Sequence, residues 1–202
     1  MIDFWVSIGS TYSYLAVMRL KRVERETRVA FRWRPFSVRA IMIEQKNIPF
    51  VGKPVKFAYM WRDIERRAQT RGLEPRLPAP YPLKEFDLAN RVAIVGEDEG
   101  WCADYVHAAY RCWFHRGHEP GLEPGLSDVL REIGQDSSRV VELAQSETTA
   151  ERYRQATEEA KALGVFGSPT FVVDGEVFWG DDRLEDALQW HERGGARVQI
   201  GA

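Results

Sequence analysis

The feature that most constrains this chain is the run at residues 164–184, which reads GVFGSPTFVVDGEVFWGDDRL. Two short segments in it, Thr170–Val173 and Glu176–Trp179, are rich in the β-branched and aromatic residues that strands prefer. Asp174 and Gly175 stand between them, and an Asp-Gly pair is a strong signal for a two-residue hairpin turn. The run therefore predicts a β-hairpin with a helix on either side.

Ser168 and Pro169 stand directly before the first of these strands. Proline is tolerated at the first strand position because it has no N–H for the ladder, so strand punctuation is one interpretation. The other is a cis Ser168–Pro169 bond, which would turn the N–H and C=O of Ser168 outward to pair with a bound peptide. Only about one X–Pro bond in twenty is cis in folded proteins. The order helix, small residue, proline, strand, turn, strand, glycine, helix nevertheless favours the cis form here.

The beginning of the chain predicts a strand–helix–strand unit. Residues 2–8 are apolar enough for a central strand, a helix follows through about Glu26, and residues 31–36 alternate as a second strand. Strands joined by a helix at this spacing pair in parallel. The middle of the chain is mainly helical in its periodicity and contains no repeat.

This order of elements resembles a thioredoxin fold in which the proline loop faces the active site. The run at residues 164–184 is similar along its whole length to the motif of the 2-hydroxychromene-2-carboxylate isomerases and the kappa-class glutathione transferases, which belong to the DsbA-like branch of that fold. The resemblance implies an α/β, thioredoxin-like domain made of residues 1–45 and 160–195. Residues 46–159 then form a large, all-helical inserted domain, and the tail after Gly194 is expected to be a loose end.

Composition limits the partners and the compartment. The chain has 202 residues, 44% hydrophobic and 29% charged, as in an ordinary soluble domain. A net charge of −2 gives no reason to expect nucleic acid. No apolar run suits a membrane span and no signal peptide is visible, so we expect a cytoplasmic protein. Cys102 and Cys112 lie about 15 Å apart at helical rise, which predicts packed thiols and not a disulfide.

Ser10 occupies the corner between the first strand and its helix. Residues 10–15 read STYSYL, similar to the family motif Ser-Pro-[aromatic]-Ser-Tyr-Leu with Thr11 in place of the proline. The resemblance implies that Ser10 hydrogen-bonds the sulfur of glutathione, and a plain helix cap is the alternative. The dipole at a helix N-terminus and a hydroxyl hydrogen bond both favour a thiolate. The loss of the proline is expected to loosen the turn.

The resemblance implies further contacts around this serine. The expected glutathione contacts are Asn47, Ser168, Trp179, Gly180, Asp181 and Asp182. Asp181 and Asp182 would hold the charged γ-glutamyl end, although two aspartates would also serve as a helix cap. Lys56 is a candidate for the substrate carboxylate and for the enolate, and Tyr81 is a candidate for contact with the aromatic substrate.

Two other groups of polar residues are expected to be surface features. His115 and His118 lie beside Glu119 in a polar stretch, which favours an exposed turn, and we expect no metal site. Arginines that recur at helical spacing are expected to form a solvated face paired with Asp63 and Glu65; they are Arg62, Arg66, Arg67 and Arg71.

The function that the resemblance implies is glutathione-dependent isomerisation of a small aromatic substrate. The family reaction, a step in aromatic catabolism, interconverts 2-hydroxychromene-2-carboxylate and open o-hydroxybenzylidenepyruvate by reversible thiolate addition. A kappa-like glutathione transferase or peroxidase is one alternative, and a non-catalytic module that binds glutathione or a peptide is another. A homodimer is expected because the relatives dimerise.

Overall fold

The fold is described from a computed structural model that covers residues 1–50 and 52–194. The predicted loose end after Gly194 lies outside the described residues. A four-stranded sheet forms the centre, and its strands are β1 (Ile2–Val6), β2 (Phe31–Pro35), β3 (Thr170–Val173) and β4 (Glu176–Trp179). Their order is β2-β1-β3-β4, with β1 parallel to β2, and with β3 antiparallel to both β1 and β4. This mixed sheet confirms the predicted α/β arrangement.

The hairpin has the predicted strand boundaries because its turn residues suit the backbone. Asp174 and Gly175 have φ angles of 50° and 83°, the left-handed values that a tight hairpin turn requires. β1 in contrast ends at Val6, two residues before the predicted Ile8. The N–H of Ser7 donates to the Ser168 hydroxyl and that of Ile8 to a side-chain amide, so neither continues a ladder.

The helices connect and cover the sheet. α1 (Ser13–Thr27) joins β1 to β2. Between β2 and β3 lie α2 (Val38–Glu44), α3 (Pro54–Thr70), α4 (Phe86–Glu99), α5 (Cys102–Arg111), α6 (Gly125–Glu132), α7 (Ser137–Gln145) and α8 (Glu147–Ala162). α9 (Leu184–Glu192) follows β4 and packs on β3, whereas α4 and α8 pack against β2. Within the described ranges, no helix is long and apolar enough to span a bilayer.

One hydrophobic cluster contains side chains of the sheet and of the inserted helices. α5 contributes Tyr105 and Tyr110, and a π-helical turn at Cys112–Arg116 continues it with Trp113. These three aromatic side chains are fully buried, so this segment is part of the core. Cys102 is also buried, as predicted, and both cysteines carry free thiols whose pKa is raised by burial.

The arginine-bearing face of α3 differs from the prediction. Two of its arginines pair with α3 carboxylates three positions away, as expected. Arg67 also lies 3.8 Å from Asp63, but it and Arg71 both reach Asp181, whose side chain is 1% exposed. The Arg67 Nη2 lies 2.8 Å from Oδ1 of this carboxylate, and Arg71 contacts the other oxygen. Helical periodicity could not predict these pairs because Asp181 is 110 positions from Arg71.

Candidate functional site

The candidate site is built around the turn that follows β1. α1 begins only at Ser13, and its N-cap is Tyr12, whose side chain makes no capping hydrogen bond. The alternative interpretation of Ser10 as a helix cap is therefore wrong. The Ser10 hydroxyl instead donates to the Ser168 carbonyl oxygen at 2.5 Å. The Ser168–Pro169 peptide is cis and faces this corner, as the sequence predicts.

The Ser168 side chain holds the proline loop against the corner. Its hydroxyl accepts from the N–H of Ser7 at 2.9 Å and lies 2.9 Å from the hydroxyl of Ser13. The hydroxyl of Ser168 therefore has hydrogen-bond partners within the protein. The backbone C=O of Ser168 faces Ser10, and none of the described residues accepts from its N–H. The backbone at Ser168 can thus pair with a further peptide group.

Two buried polar side chains from the inserted helices fix the same corner, and the sequence analysis missed both. Asn90 on α4 accepts from the Ile8 N–H and donates to the Ile8 C=O, each at 2.8 Å. The Tyr110 hydroxyl on α5 lies 3.1 Å from the Ser7 carbonyl oxygen and 2.9 Å from that of Ser10. Burial raises the pKa of Tyr110, so its phenol stays a donor. A polar residue on a core-facing helix position was the available signal, because buried polar groups need partners.

Thr11, which stands where the family motif has proline, is buried. Its hydroxyl donates to the sulfur of Met60 on α3 at 3.0 Å. Tyr12 beside it donates to Asp63, also on α3, at 3.1 Å. The turn between β1 and α1 is therefore tied to α3 through two side chains.

Gly9 allows an aromatic ring to approach this turn. Its φ is +119°, and a Cβ there would lie 2.4 Å from Cδ2 of Phe86. Arg39 lies over the face of the same Phe86 ring, with its guanidinium carbon 4.2 Å from the ring centroid. Arg39 is a third residue that the sequence analysis missed, since a single arginine on a short helix carries no sequence signal.

A cavity of about 1110 Å³ opens at Ser10 and Ser168. The predicted residues that line it are Ser10, Asn47, Lys56, Tyr81, Ser168 and Trp179. Asn47 and Lys56 lie exposed at its rim, and the Lys56 Nζ is 5.9 Å from the centroid of the Phe50 ring. The structure thus brings together residues from the beginning, middle and end of the chain.

Part of the cavity wall is a cluster of aromatic side chains. The rings of Phe50 and Phe57 lie 5.9 and 5.8 Å from Tyr81, centroid to centroid, and Trp61 contacts Tyr81 from outside the lining at 6.2 Å. Burial raises the pKa of Tyr81, so its hydroxyl is a neutral donor at ordinary pH. This wall can enclose a flat, conjugated ligand.

The turn after β4 lies beside the cavity. Trp179 is 53% exposed and lines it, packed so closely on Gly167 that a Cβ there would lie 2.2 Å from the indole nitrogen. Gly180, Asp181 and Asp182 lie outside the lining. Asp181 is occupied by the two arginines of α3. The Asp182 side chain is 49% exposed and pairs with Arg183 at 3.2 Å and with Arg67 at 3.9 Å. Neither aspartate caps α9, which begins only after a 3₁₀ turn.

Comparisons with known proteins agree with this geometry. The family model of the DSBA-like thioredoxin domain matches residues 1–189. A solved structure of 2-hydroxychromene-2-carboxylate isomerase has a TM-score of 0.83 and 28% identity, covering 97% of this chain and 99% of that chain. The 2-hydroxychromene-2-carboxylate isomerase of Sphingobium xenophagum is 29% identical over 186 residues, 91% of this chain and 94% of that protein. Glutathione S-transferase kappa 2 of Caenorhabditis elegans is 23% identical over 199 residues, 91% and 88% of the two chains.

These similarities extend over the sheet and the inserted helices together. The relatives support an enzyme of isomerase or glutathione transferase type, and the solved isomerase shares the fold over nearly its full length. The family match includes both segments that form the candidate site, the turn after β1 and the cis-proline loop. The chain therefore belongs to the DSBA-like thioredoxin domain family.

Proposed function

We propose that this protein is a glutathione-dependent isomerase similar to 2-hydroxychromene-2-carboxylate isomerase. The observation that carries the proposal is the contact between the Ser10 hydroxyl and the Ser168 carbonyl at the edge of an aromatic cavity. The proposed substrate is a hydroxychromene carboxylate together with its open o-hydroxybenzylidenepyruvate isomer. The proposed setting is the breakdown of aromatic compounds.

The polar groups around Ser10 fit the cysteinyl part of glutathione. Ser168 offers a C=O and an N–H, the pair that a peptide backbone needs. The N–H groups of Thr11 and Tyr12 find no acceptor among the described residues, and they stand at the positive end of the α1 dipole. Backbone amides at a helix N-terminus stabilise a nearby anion. A thiolate at this corner would therefore be stabilised by groups that are already in place.

The Ser10 hydroxyl is proposed to act on the sulfur. Its proton would turn from the Ser168 carbonyl to the ligand, and a hydrogen bond to the anionic form lowers the pKa of a thiol. The Ser168 carbonyl, released by Ser10, would accept from the cysteinyl N–H instead. Bound glutathione would supply a nucleophile that adds reversibly to the conjugated double bond, which becomes single and can rotate.

The remaining glutathione contacts are proposed at Asn47, Trp179, Gly180 and Asp182. The half-exposed carboxylate of Asp182 suits the ammonium group of the γ-glutamyl end. Asn47 at the rim suits a polar contact to the same ligand. Asp181 is proposed to position this turn through its two arginines, since a buried and paired carboxylate has no free oxygen for a ligand.

The substrate is proposed to lie along the aromatic wall. A tyrosine phenol is protonated at neutral pH, and burial raises the pKa of Tyr81 further, so its hydroxyl can donate to a substrate oxygen. The exposed Lys56 at the rim would stabilise the negative charge that develops on the substrate as an enolate. Both roles require only side chains that line the cavity.

The test is turnover of 2-hydroxychromene-2-carboxylate with and without glutathione, followed by absorbance while the free thiol is titrated. The proposed isomerase needs glutathione and leaves it unconsumed. Loss of thiol in proportion to turnover would instead indicate the kappa-like transferase or peroxidase. Glutathione binding without turnover would indicate a binding module. A rate that does not depend on glutathione would contradict the proposal.

A homodimer, a cytoplasmic location and the division into a thioredoxin-like and an inserted domain are proposed on the family resemblance. Sedimentation equilibrium tests the first of these, with an expected mass of twice the 23.3 kDa chain. A mass of one chain at micromolar concentration would contradict the proposed dimer.

A further inference from the structure

Arg39 is a cation in the cavity wall for which no described carboxylate serves as partner. It lies on α2, is half-buried and lines the cavity. Its Nη2 donates to the Leu83 carbonyl oxygen at 3.2 Å, and its guanidinium stacks on Phe86. Arg34 on the neighbouring strand, in contrast, pairs with Glu97 and with a second carboxylate. The difference marks Arg39 as a charge that the described residues leave uncompensated.

The unpaired N–H donors of the guanidinium indicate which kind of ligand would bind it. An arginine has five N–H donors, of which the Leu83 carbonyl takes one and the Phe86 ring takes none. Partial burial removes water that would otherwise satisfy the rest, and an unpaired buried charge is costly. A carboxylate matches the planar fork with two parallel hydrogen bonds. The expected occupant of the cavity is therefore an acid.

The ring of Phe86 lies between Arg39 and the residue before Ser10. The face of Phe86 carries the guanidinium, and the edge of the same ring packs on Gly9, the residue before Ser10. The positive charge of Arg39 also reaches Tyr81, where it opposes the rise in pKa that burial causes. Lys56 is in a different position, exposed at the rim beside Phe50. The cavity lining thus has one half-buried cation, Arg39, and two exposed lysines, Lys53 and Lys56.

We propose that Arg39 is the carboxylate anchor of the cavity and selects planar aromatic acids over neutral molecules of the same shape. The inference rests on the proposed function, because it assigns the carboxylate of that substrate to Arg39. Lys56 is then left for the charge that develops during the reaction. Arg39 binds and orients the acid, so that the rest of the ligand lies along the aromatic wall.

The first experiment compares binding of 2-naphthoate and 2-naphthamide, an acid and a neutral amide of similar shape, by calorimetry on the full chain. The wild type is expected to bind the acid at least about tenfold more tightly, because hydrogen bonds between charged groups are the stronger ones. Arg39→Gln is expected to lose most of this preference. Arg39→Lys keeps the charge without the planar fork and is expected to keep part of it.

Two variants serve as controls for this experiment. Lys56→Gln removes one of the two exposed lysines of the lining, and Arg154→Gln removes an exposed arginine of α8 that pairs with Glu151 on its own helix. Both are expected to keep the preference for the acid. The proposal is overturned if the wild type shows no preference or if Arg39→Gln retains it. Should Arg39→Gln melt well below Arg154→Gln, the comparison is made with Arg39→Lys.

Steady-state kinetics distinguish a failure of the anchor from a failure of the proposed function. Arg39→Gln is expected to raise KM for 2-hydroxychromene-2-carboxylate by about tenfold to a hundredfold, with a smaller change in kcat. A wild type that prefers naphthoate through Arg39 but does not isomerise would contradict only the proposed function. A wild type that isomerises, with KM and acid preference unchanged in Arg39→Gln, would contradict only the anchor.

Discussion

Two serine hydroxyls in the same corner have different partners. The hydroxyl of Ser168 is buried and holds the proline loop to the N–H of Ser7 and to Ser13. The hydroxyl of Ser10 lies at the cavity and has one described partner, the Ser168 carbonyl. Removal of the first hydroxyl therefore disturbs the fold of the site, whereas removal of the second leaves the loops connected by the contacts around it.

Gly9→Ala tests how closely the corner is packed. The new methyl group would lie 2.4 Å from the Phe86 ring, at a φ of +119° that L residues avoid. Overpacking and backbone strain together are expected to lower the free energy of unfolding by about 2–5 kcal/mol. The control is Gly134→Ala, where φ is +75° but nothing lies within 4 Å of the added carbon. Equal losses in urea unfolding of the two variants would contradict the tight contact.

At the scale of elements, the inserted helices position the corner. α4 and α5 each contribute one buried polar side chain to the backbone at the end of β1, through Asn90 and Tyr110. α3 contributes Met60 and Asp63 to the two residues before α1. These helices between β2 and β3 therefore fix the backbone that carries Ser10, and they also line part of the cavity.

Tyr110→Phe tests this role of α5. The change removes the donor shared by the carbonyls of Ser7 and Ser10, and we expect a loss of about 1–3 kcal/mol in unfolding free energy together with slower turnover. The matched control is Tyr105→Phe, which removes an equally buried hydroxyl from the Ala89 carbonyl at 3.1 Å. It is expected to destabilise similarly and to leave kcat unchanged. A parallel fall of kcat in both variants would show that stability alone is responsible.

Local patterns predicted some of these elements, and contacts distant in sequence produced the rest. The Asp174-Gly175 turn fixes the hairpin, and the residues around Pro169 predict the loop that faces Ser10. The predicted end of β1 lay two residues beyond the observed one. The N–H groups of Ser7 and Ile8 donate to a residue on the proline loop and to Asn90, and not to a neighbouring strand. Neither partner is visible in a local pattern.

At the scale of the whole molecule, Asp181 links α3 to the turn after β4, which lies beside the cavity. Its carboxylate is buried between α3 and the turn after β4, where Arg67 and Arg71 contact it. Burial raises the pKa of Asp181, and the two arginines oppose that rise. The sequence predicted Asp181 and Asp182 as an equivalent pair, whereas the structure gives them different surroundings.

Asp181→Asn and Asp182→Asn are expected to separate these roles. Asp181→Asn removes one partner of a buried ion pair, and we expect a loss of about 3–5 kcal/mol in the free energy of unfolding. Asp182→Asn changes a half-exposed carboxylate and is expected to leave stability within about 0.5 kcal/mol while weakening glutathione binding. Urea unfolding and calorimetry measure the two effects. The account would be contradicted if Asp182→Asn lowered the free energy of unfolding while Asp181→Asn weakened only glutathione binding.

The central claim, that the Ser10 hydroxyl holds a glutathione sulfur in its charged form, is tested most directly by the thiolate absorbance of bound glutathione against pH. Ser10→Ala is expected to keep the fold and most of the glutathione affinity while raising the pKa of the bound thiol. Each unit corresponds to about 1.4 kcal/mol, so we expect turnover to fall between about tenfold and a thousandfold and to recover partly at higher pH. A thiol that titrates at the same pH in Ser10→Ala as in the wild type would contradict the account.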